Sequence, residues 1–146
     1  MHADDLSRRK FLKVSGAATL GAAAISTGMI RCATPTATDP EHGTFTFDIS
    51  DAQFSGLTVV GGSAYCVLTN PDFPAIVIRT GQNELKAFSS KCTHQQCKIN
   101  LPQNGISVCP CHQSRFDTSG AIISGPASNQ PAYTASLSGT TLTITA

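Results

Sequence analysis

Two short stretches of this 146-residue chain decide its fold and its chemistry. Residues 92–97 read Cys-Thr-His-Gln-Gln-Cys, and residues 109–114 read Cys-Pro-Cys-His-Gln-Ser. Each stretch carries two cysteines and one histidine, so four of the six cysteines of the chain fall in these two places. Thiols and imidazoles concentrated in this way indicate two loops that together hold a metal centre.

Two kinds of metal centre are compatible with one Cys/His pair from each loop. A structural zinc site takes four such ligands, but zinc motifs usually place two or more residues between paired ligands, whereas only Thr93 separates Cys92 from His94. A zinc site would also leave Cys97 and Cys111 without a role. In a [2Fe–2S] centre of mixed ligation, one iron takes two thiolates and the other takes two imidazoles, so that each loop serves both irons. The spacing favours the iron–sulfur centre, with structural zinc as the alternative.

The remaining cysteines have separate interpretations. Cys97 and Cys111 stand beside the ligand positions on opposite loops, and either they form a disulfide, which an oxidising compartment would preserve, or they are two free thiols. Cys66 is expected to be a small buried hydrophobe. Lipid attachment at Cys32 is disfavoured, because Arg31 before it lacks the small side chain that lipoprotein processing needs. The role of Cys32 is therefore open.

Outside the two loops the sequence predicts short strands. Phe45, Phe47 and Ile49 alternate with polar residues, as on a half-buried strand. The apolar run at residues 75–78 suits a buried central strand. The other predicted strands are residues 57–60, 64–68, 85–88, 133–137 and 140–144, the last two joined at Ser138-Gly139. No long helical periodicity follows residue 31, so the predicted class is all-β.

The N-terminal sequence has the layout of an export signal. Residues 7–13 read Ser-Arg-Arg-Lys-Phe-Leu-Lys and precede a weakly apolar run at residues 14–30. They resemble the twin-arginine signal, whose pattern is Ser-Arg-Arg-any-Phe-Leu-Lys and whose route carries folded proteins. An ordinary basic signal or an amphipathic first helix is the alternative. The apolar run is long for a signal and short for a membrane span, so cleavage and retention as an anchor both stay open.

These patterns divide the chain into three parts. Residues 1–31 are the predicted signal or membrane-anchor helix, residues 32–42 form a Pro-containing linker, and residues 43–146 form the folded domain. Five of the ten Lys and Arg precede residue 32, whereas residues 33–146 carry five bases and seven acids. That slightly acidic body gives no reason to expect a nucleic-acid partner. No general base or substrate pocket can be assigned, so we assign no catalytic residue.

The two motifs resemble those of Rieske proteins, both of cytochrome bc-type complexes and of the arsenite-oxidase small subunit. The similarity covers residues 57–146 and includes Phe116-Asp117 and the loop Gly125-Pro126-Ala127. It implies an antiparallel β-sandwich with a cluster-binding subdomain of two Cys/His loops, and one [2Fe–2S] cluster per chain. The implied site residues are the ligands Cys92, His94, Cys109 and His112, the disulfide pair Cys97 and Cys111, and the surrounding Ser114, Phe116, Gly125 and Pro126.

The resemblance also implies a high reduction potential. Two thiolates and two neutral imidazoles leave an oxidised [2Fe–2S] core neutral, and an electron enters a neutral core more easily than an anionic one. Ser114 aligns with a family serine that donates to a bridging sulfide, whereas Phe116 stands where many high-potential members have a Tyr that donates to a cysteine sulfur. We therefore expect a positive potential below that of members with both donors. If the outer nitrogens of His94 and His112 are exposed, electron uptake will be coupled to proton uptake.

The expected function is electron transfer at the outer, periplasmic face of a bacterial inner membrane. The chain would be the Rieske subunit of a quinol-oxidising complex or a free-standing relative, with cytochrome b or cytochrome c as partner and quinol at the His94/His112 tip. Gln95-Gln96 replaces the Leu-Gly common in bc-type members and Gln113 replaces a common Gly, which weakens the cytochrome b assignment. The alternatives are the small subunit of a periplasmic molybdenum oxidase, paired with its large subunit, and a soluble ring-oxygenase ferredoxin. Such ferredoxins are cytoplasmic and lack the two extra cysteines.

Overall fold

The computed structural model describes residues 42–146. The described elements are β1 (Thr44–Asp48), a 3-10 helix (Ala52–Thr58), β2 (Ser63–Cys66), β3 (Ala75–Arg79), β4 (Leu85–Ser89), β5 (Ser107–Val108), β6 (Arg115–Phe116), β7 (Ile122–Ser124), β8 (Ala132–Ser138) and β9 (Thr141–Thr145). The all-β prediction is confirmed for this part of the chain. None of the helical structure in residues 42–146 has the length and apolarity to cross a bilayer. The predicted signal or anchor at residues 1–31, and nearly all of the predicted linker, lie outside the described residues.

Six strands form a curled antiparallel sheet in the order β1-β9-β8-β4-β3-β2. The curl arises at β8, which has two partners along its length. Its first residues pair with β4 through Ala87↔Tyr133 and Phe88↔Ala132, and from Thr134 onward it pairs with β9. The β8–β9 hairpin predicted around Gly139 is present, with φ +60° at that glycine. One strand therefore carries the sheet from its first half to its second.

The buried strand predicted at residues 75–78 lies at the centre of the packing, as β3. Its residues Ala75 to Ile78 are all at most 2% exposed. Val77 faces one apolar core, together with Phe54, Leu57 and Leu142, whereas Ile76 and Ile78 face a second core. That second core contains Phe88, Ile99, Phe116 and the two cysteines Cys92 and Cys109. The sheet therefore forms the floor on which the Cys/His loops rest.

The prediction of a strand at residues 57–60 is wrong. Leu57 belongs to the 3-10 helix, in which Phe54 and Leu57, three residues apart, turn the same way into the core. Val59 and Val60, which a buried strand would cover, are 59% and 56% exposed. The Arg79 guanidinium donates to the carbonyls of Leu57 and Thr58 and so holds the end of this helix against β3. Apolar letters alone could not distinguish this short helix from a strand.

The two Cys/His loops belong to a subdomain, residues 90–131, with a three-stranded sheet of its own in the order β5-β6-β7. The sequence did not predict these strands of two or three residues. The inner face of the small sheet carries Ser107, Phe116 and Ile122, and the outer face carries Val108, Arg115 and Ser124. An Asn104-Gly105 turn, with φ of 52° and 77°, reverses the chain just before β5.

The packing around Cys66 can be tested by the pH dependence of the free energy of unfolding. The thiol is fully buried, and burial raises its pKa from 9.0 to about 12. Between these pH values the unfolded chain releases a proton that the folded chain keeps. The protonated Cys66 thiol therefore contributes fully to the free energy of unfolding below about pH 9. This contribution is lost as pH rises from 9 toward 12, by at most about 1.4 kcal/mol per pH unit. Urea unfolding across that range should reveal this slope in the parent protein and its absence in Cys66→Ala. Equal slopes in the two proteins would contradict the burial.

Candidate metal centre

The two Cys/His loops are built as matched turns. In the first, the amide of Cys92 donates to the carbonyl of Cys97 (2.9 Å), and the amide of Gln96 donates back to the carbonyl of Cys92 (2.8 Å). In the second, Cys109 donates to Ser114 (2.8 Å) and Gln113 donates back to Cys109 (3.0 Å). Each turn thus begins at a ligand cysteine and closes five residues later. We did not predict this similarity between the two turns, although the two motifs have the same length.

Both turns place a glutamine in the left-handed region. Gln96 has φ 55° and Gln113 has φ 58°, at equivalent positions four residues after the first cysteine. Non-glycine residues are uncommon there, and each is disfavoured against glycine by about 1 kcal/mol. The side-chain amide of Gln113 also donates to the carbonyl of Pro110 (3.2 Å). The two glutamines are exposed beside the two histidines, so the tip of the subdomain is polar.

Cys92 and Cys109 lie together at the inner end of the loops. Each is 1% exposed, neither is in a disulfide, and their side chains are within hydrogen-bonding contact. Burial raises the pKa of the Cys92 thiol, while the amides of His94 and Gln95 donate to its sulfur and act in the opposite direction. A buried thiolate pair therefore needs added positive charge, which a metal centre provides.

His94 and His112 lie at the outer end of the same loops. Both are exposed, and their rings stand edge to face with centroids 4.7 Å apart and planes at 87°. His94 comes two residues after its turn cysteine and His112 comes three residues after, so a difference in spacing still brings the rings together. Both imidazoles are therefore accessible to solvent.

The disulfide implied for Cys97 and Cys111 is confirmed, with Cα atoms 6.4 Å apart. It joins the closing end of the first turn to the middle of the second. In the chain-entropy account, a bond closing a loop of about 15 residues stabilises a fold by about 3 kcal/mol. The bond therefore holds the two turns together.

A third loop, residues 125–130, covers the two turns. The Ala127 amide donates to the Ser114 hydroxyl oxygen (3.2 Å), which anchors this loop to the second turn. Gly125 comes so close that a Cβ there would lie 2.6 Å from the Ser114 Cα atom. Ser114 is fully buried, whereas Gly125 and Pro126 are exposed. The structure thus brings all three of these predicted residues to one side of the centre.

Two residues that we did not predict attach the third loop to the first turn. The Thr93 hydroxyl donates to the carbonyl of Ser128 (2.9 Å) and accepts from the amide of Ser128 (3.0 Å). It also accepts from the side-chain amide of Gln130, which is 5% exposed (3.1 Å). The hydroxyl between Cys92 and His94 was a visible signal for Thr93, but nothing in the sequence marked Gln130.

The donor set fits an iron–sulfur centre. Within residues 42–146, no three His, Cys, Asp or Glu side chains form a group that could share one metal ion. The four predicted ligands form instead a thiol pair and an imidazole pair, with each turn contributing one member of each. Thiolate and imidazole are ligands that suit iron–sulfur centres. Phe116, fully buried, packs in the same apolar core as Cys92 and Cys109 and keeps water from the thiol end.

Comparison with known proteins agrees with this geometry. Residues 46–140 match the model of the Rieske [2Fe-2S] domain family. The cytochrome b6-f complex iron-sulfur subunit of Trichodesmium erythraeum is 36% identical over 59 residues, which is 37% of this chain and 32% of the relative. The cytochrome bc1 complex Rieske iron-sulfur subunit of Corynebacterium diphtheriae is 38% identical over 69 residues, 41% of this chain and 17% of the relative. The chain therefore spans only a minor part of the length of these relatives.

A solved structure is also similar. The crystal structure of the plasma membrane Rieske protein PetC3 from the cyanobacterium Synechocystis PCC 6803 superposes with a TM-score of 0.52 at 30% identity. The match covers 64% of this chain and 95% of that one. Fold and site together define an all-β iron–sulfur protein of electron transport. The chain belongs to the Rieske [2Fe-2S] family, and its domain accordingly holds one [2Fe–2S] cluster.

The close approach of Gly125 to Ser114 can be tested by substitution. Gly125→Ala places a methyl group 2.8 Å from the Ser114 hydroxyl oxygen, at a glycine with φ +104°. We expect a loss of at least about 2 kcal/mol in the free energy of unfolding, measured in urea. Gly139→Ala is the matched control, since φ is +60° there but no atom lies within 4 Å of the added Cβ, so the expected loss is about 1 kcal/mol. Similar losses for both variants would mean that the contact with Ser114 is not tight.

Proposed function

We propose that this protein transfers single electrons through a high-potential [2Fe–2S] cluster held by Cys92, His94, Cys109 and His112. The observation that carries the proposal is the polarity of the site, with two thiols buried at one end of the paired turns and two imidazoles exposed at the other. When bound, the cluster supplies one-electron oxidation and reduction. The residues of this chain determine where the electron crosses and at what potential.

The exposed imidazoles support electron exchange at the tip of the subdomain. A partner that contacts His94 or His112 reaches the ligands of one iron directly, whereas the thiol end is enclosed by Ile99, Phe116 and the floor of the sheet. The outer ring nitrogens of both histidines can also exchange protons with solvent or with a bound quinol. Proton release from a metal-bound imidazole lowers the net charge of the site, so the potential should fall as pH rises.

The buried shell supports a potential in the middle of the range of its family. Ser114 is fully buried beside the turns, and its oxygen already accepts the Ala127 amide, which leaves its proton available to a sulfur. Phe116 supplies no such donor. We propose a positive potential that lies below that of relatives with a Tyr in place of Phe116.

Export and assembly belong to the same proposal. The Ser-Arg-Arg-Lys-Phe-Leu-Lys sequence at residues 7–13 supports twin-arginine export of the folded, cluster-containing protein to the outer face of the inner membrane. The named relatives are subunits of cytochrome b6-f and bc1 complexes, which supports a place in a quinol-oxidising complex. The polar tip made by Gln95, Gln96 and Gln113 argues against apolar docking on cytochrome b, so the small subunit of a periplasmic molybdenum oxidase is the second candidate. Co-purification with either a cytochrome b or a large molybdenum-containing chain separates the two candidates.

Redox titration followed by EPR tests the cluster and its proton coupling. The full-length protein should give a rhombic signal when reduced, with an average g below the free-electron value and a positive midpoint potential. That midpoint should fall as pH rises, by up to about 59 mV per pH unit, the slope for one proton per electron. A colourless, EPR-silent protein that contains zinc would refute the proposal. A negative midpoint that does not vary with pH would leave the cluster but point to a ferredoxin.

Substitution of Phe116 tests the role of the buried shell. Phe116→Tyr adds a hydroxyl next to the two cysteines, and a hydrogen bond to a sulfur should stabilise the reduced state. The expected increase in midpoint potential is about 20–60 mV, equivalent to a hydrogen bond of about 0.5–1.5 kcal/mol. Phe45→Tyr, on β1 and outside this core, is the control and should leave the potential unchanged. An unchanged potential in Phe116→Tyr would mean that the hydroxyl does not reach a sulfur.

A further inference from the structure

Charge is segregated along the described part of the chain. The cluster-binding subdomain, residues 90–131, carries three bases and one acid. The rest of the described chain, residues 42–89 and 132–146, carries two bases and four acids. The near-zero net charge of the described chain therefore conceals a positively charged subdomain and a negatively charged remainder.

The three bases of the subdomain are not neutralised by acids. Within residues 42–146, none of Lys91, Lys98 and Arg115 has a carboxylate within 4.0 Å of its charged nitrogens. Lys91 and Lys98 face each other across an isolated β-bridge, an arrangement that is destabilising for like charges. Each instead lies over an aromatic ring, with the Nζ atoms 5.5 Å from the Phe73 centroid and 4.4 Å from the Tyr65 centroid.

The single acid of the subdomain has another role. One Asp117 carboxylate oxygen accepts the Ser119 hydroxyl (2.6 Å) and the amides of Ser119 (2.8 Å) and Ala121 (3.0 Å). These bonds close the turn between β6 and β7, and they hold the pKa of Asp117 below its usual value. Asp117 is therefore committed to a turn and pairs with none of the three bases.

Arg115 and Lys98 belong to one surface. Arg115, on the outer face of β6, lines a cleft of about 430 Å³ together with the amide-bearing residues Asn100, Gln103 and Asn104. The Arg115 guanidinium forms no hydrogen bond or ion pair with any residue in the range 42–146. Lys98 is exposed two residues before Asn100, and the Asn100 amide donates to the carbonyl of Val108 (3.0 Å), which pairs with Arg115, so Lys98 lies near the cleft.

This cationic face, made of Lys91, Lys98 and Arg115, adjoins both cluster-binding turns. Lys91 precedes Cys92, Lys98 follows Cys97, and Arg115 follows Ser114. Uncompensated charges of one sign beside a redox centre steer a partner of the opposite sign and set its orientation. Amides beside an open guanidinium are donors suited to carboxylates.

We propose that the cationic face docks the acidic surface of a partner electron-carrier protein, with carboxylates of the partner seated at Arg115 and Lys98. The inference rests on the proposed electron-transfer function and adds the chemistry of the partner. It predicts that anionic redox reagents approach the cluster faster than cationic ones of the same charge magnitude.

Stopped-flow oxidation of the full-length, cluster-loaded protein tests the electrostatic part. Hexacyanoferrate(III) takes one electron from the reduced protein and becomes hexacyanoferrate(II), and tris(1,10-phenanthroline)cobalt(III), which takes one electron to become the cobalt(II) complex, is the cationic counterpart. The rate with hexacyanoferrate(III) should fall roughly tenfold between low and high salt, and the rate with the cobalt complex should rise. The double variant Lys98→Gln, Arg115→Gln should lose most of this salt dependence. Lys86→Gln, which removes a base paired with Glu84 at 3.3 Å on the other half, should keep it.

A binding measurement tests the docking part without electron transfer. Hexaglutamate, as a stand-in for an acidic protein surface, should bind the loaded protein in isothermal titration calorimetry at low salt. The affinity should fall at least roughly tenfold in the Lys98→Gln, Arg115→Gln variant and stay within about twofold in Lys86→Gln. Equal binding by all three proteins, or salt-independent rates with both oxidants, would overturn the proposal. The EPR signal and midpoint potential of the same samples separate this outcome from failure of the cluster assignment, since a double variant with unchanged EPR is intact at the site.

Discussion

The structure depends on a conflict between burial and charge at two cysteines. Cys92 and Cys109 are enclosed in an apolar core, where a thiolate is disfavoured, yet only thiolates bind iron. The chain resolves part of the conflict with its own amides, because His94 and Gln95 donate to the Cys92 sulfur. The rest of the cost of burying the thiolates is compensated by the positive charge of the metal centre that these residues are suited to hold. Burial of the thiols and binding of the cluster are therefore linked energetically.

The matched turns fix the position of the ligand side chains. Each ligand cysteine uses its amide and its carbonyl to close its own turn, so its side chain direction is set by the backbone. The disulfide then fixes one turn against the other, and the third loop attaches to both through Ser114 and Thr93. Below them, β3 and β4 supply a floor that is buried on both faces. Rigid elements on three sides are what a redox site needs, because little reorganisation then accompanies electron transfer.

The exposed end of the site follows different rules from the buried end. Gln96 and Gln113 occupy positions that glycine would fill with less strain, and they surround the histidines with amide groups. The cationic face of Lys91, Lys98 and Arg115 adjoins the ends of the same turns. Polar and cationic groups beside a redox site select partners by hydrogen bonding and charge, whereas an apolar tip would select by burial of surface. The buried end of the site is thus apolar, whereas its exposed surroundings are polar and cationic.

The sequence by itself determined the all-β class, the buried strand at residues 75–78 and the β8–β9 hairpin, and its two Cys/His motifs marked the candidate ligands. These features depend on local information, since alternation, turn glycines and ligand spacing are all read within a few positions. Tertiary structure alone decided that Leu57 enters a 3-10 helix, because the Arg79 guanidinium that holds it comes from a distant strand. It also decided the Thr93–Gln130 contact, the small sheet β5-β6-β7 and the meeting of Arg115 with Asn100. These features join residues that are distant in sequence, or strands that are too short to show a periodic pattern. Only the packed chain brings them together.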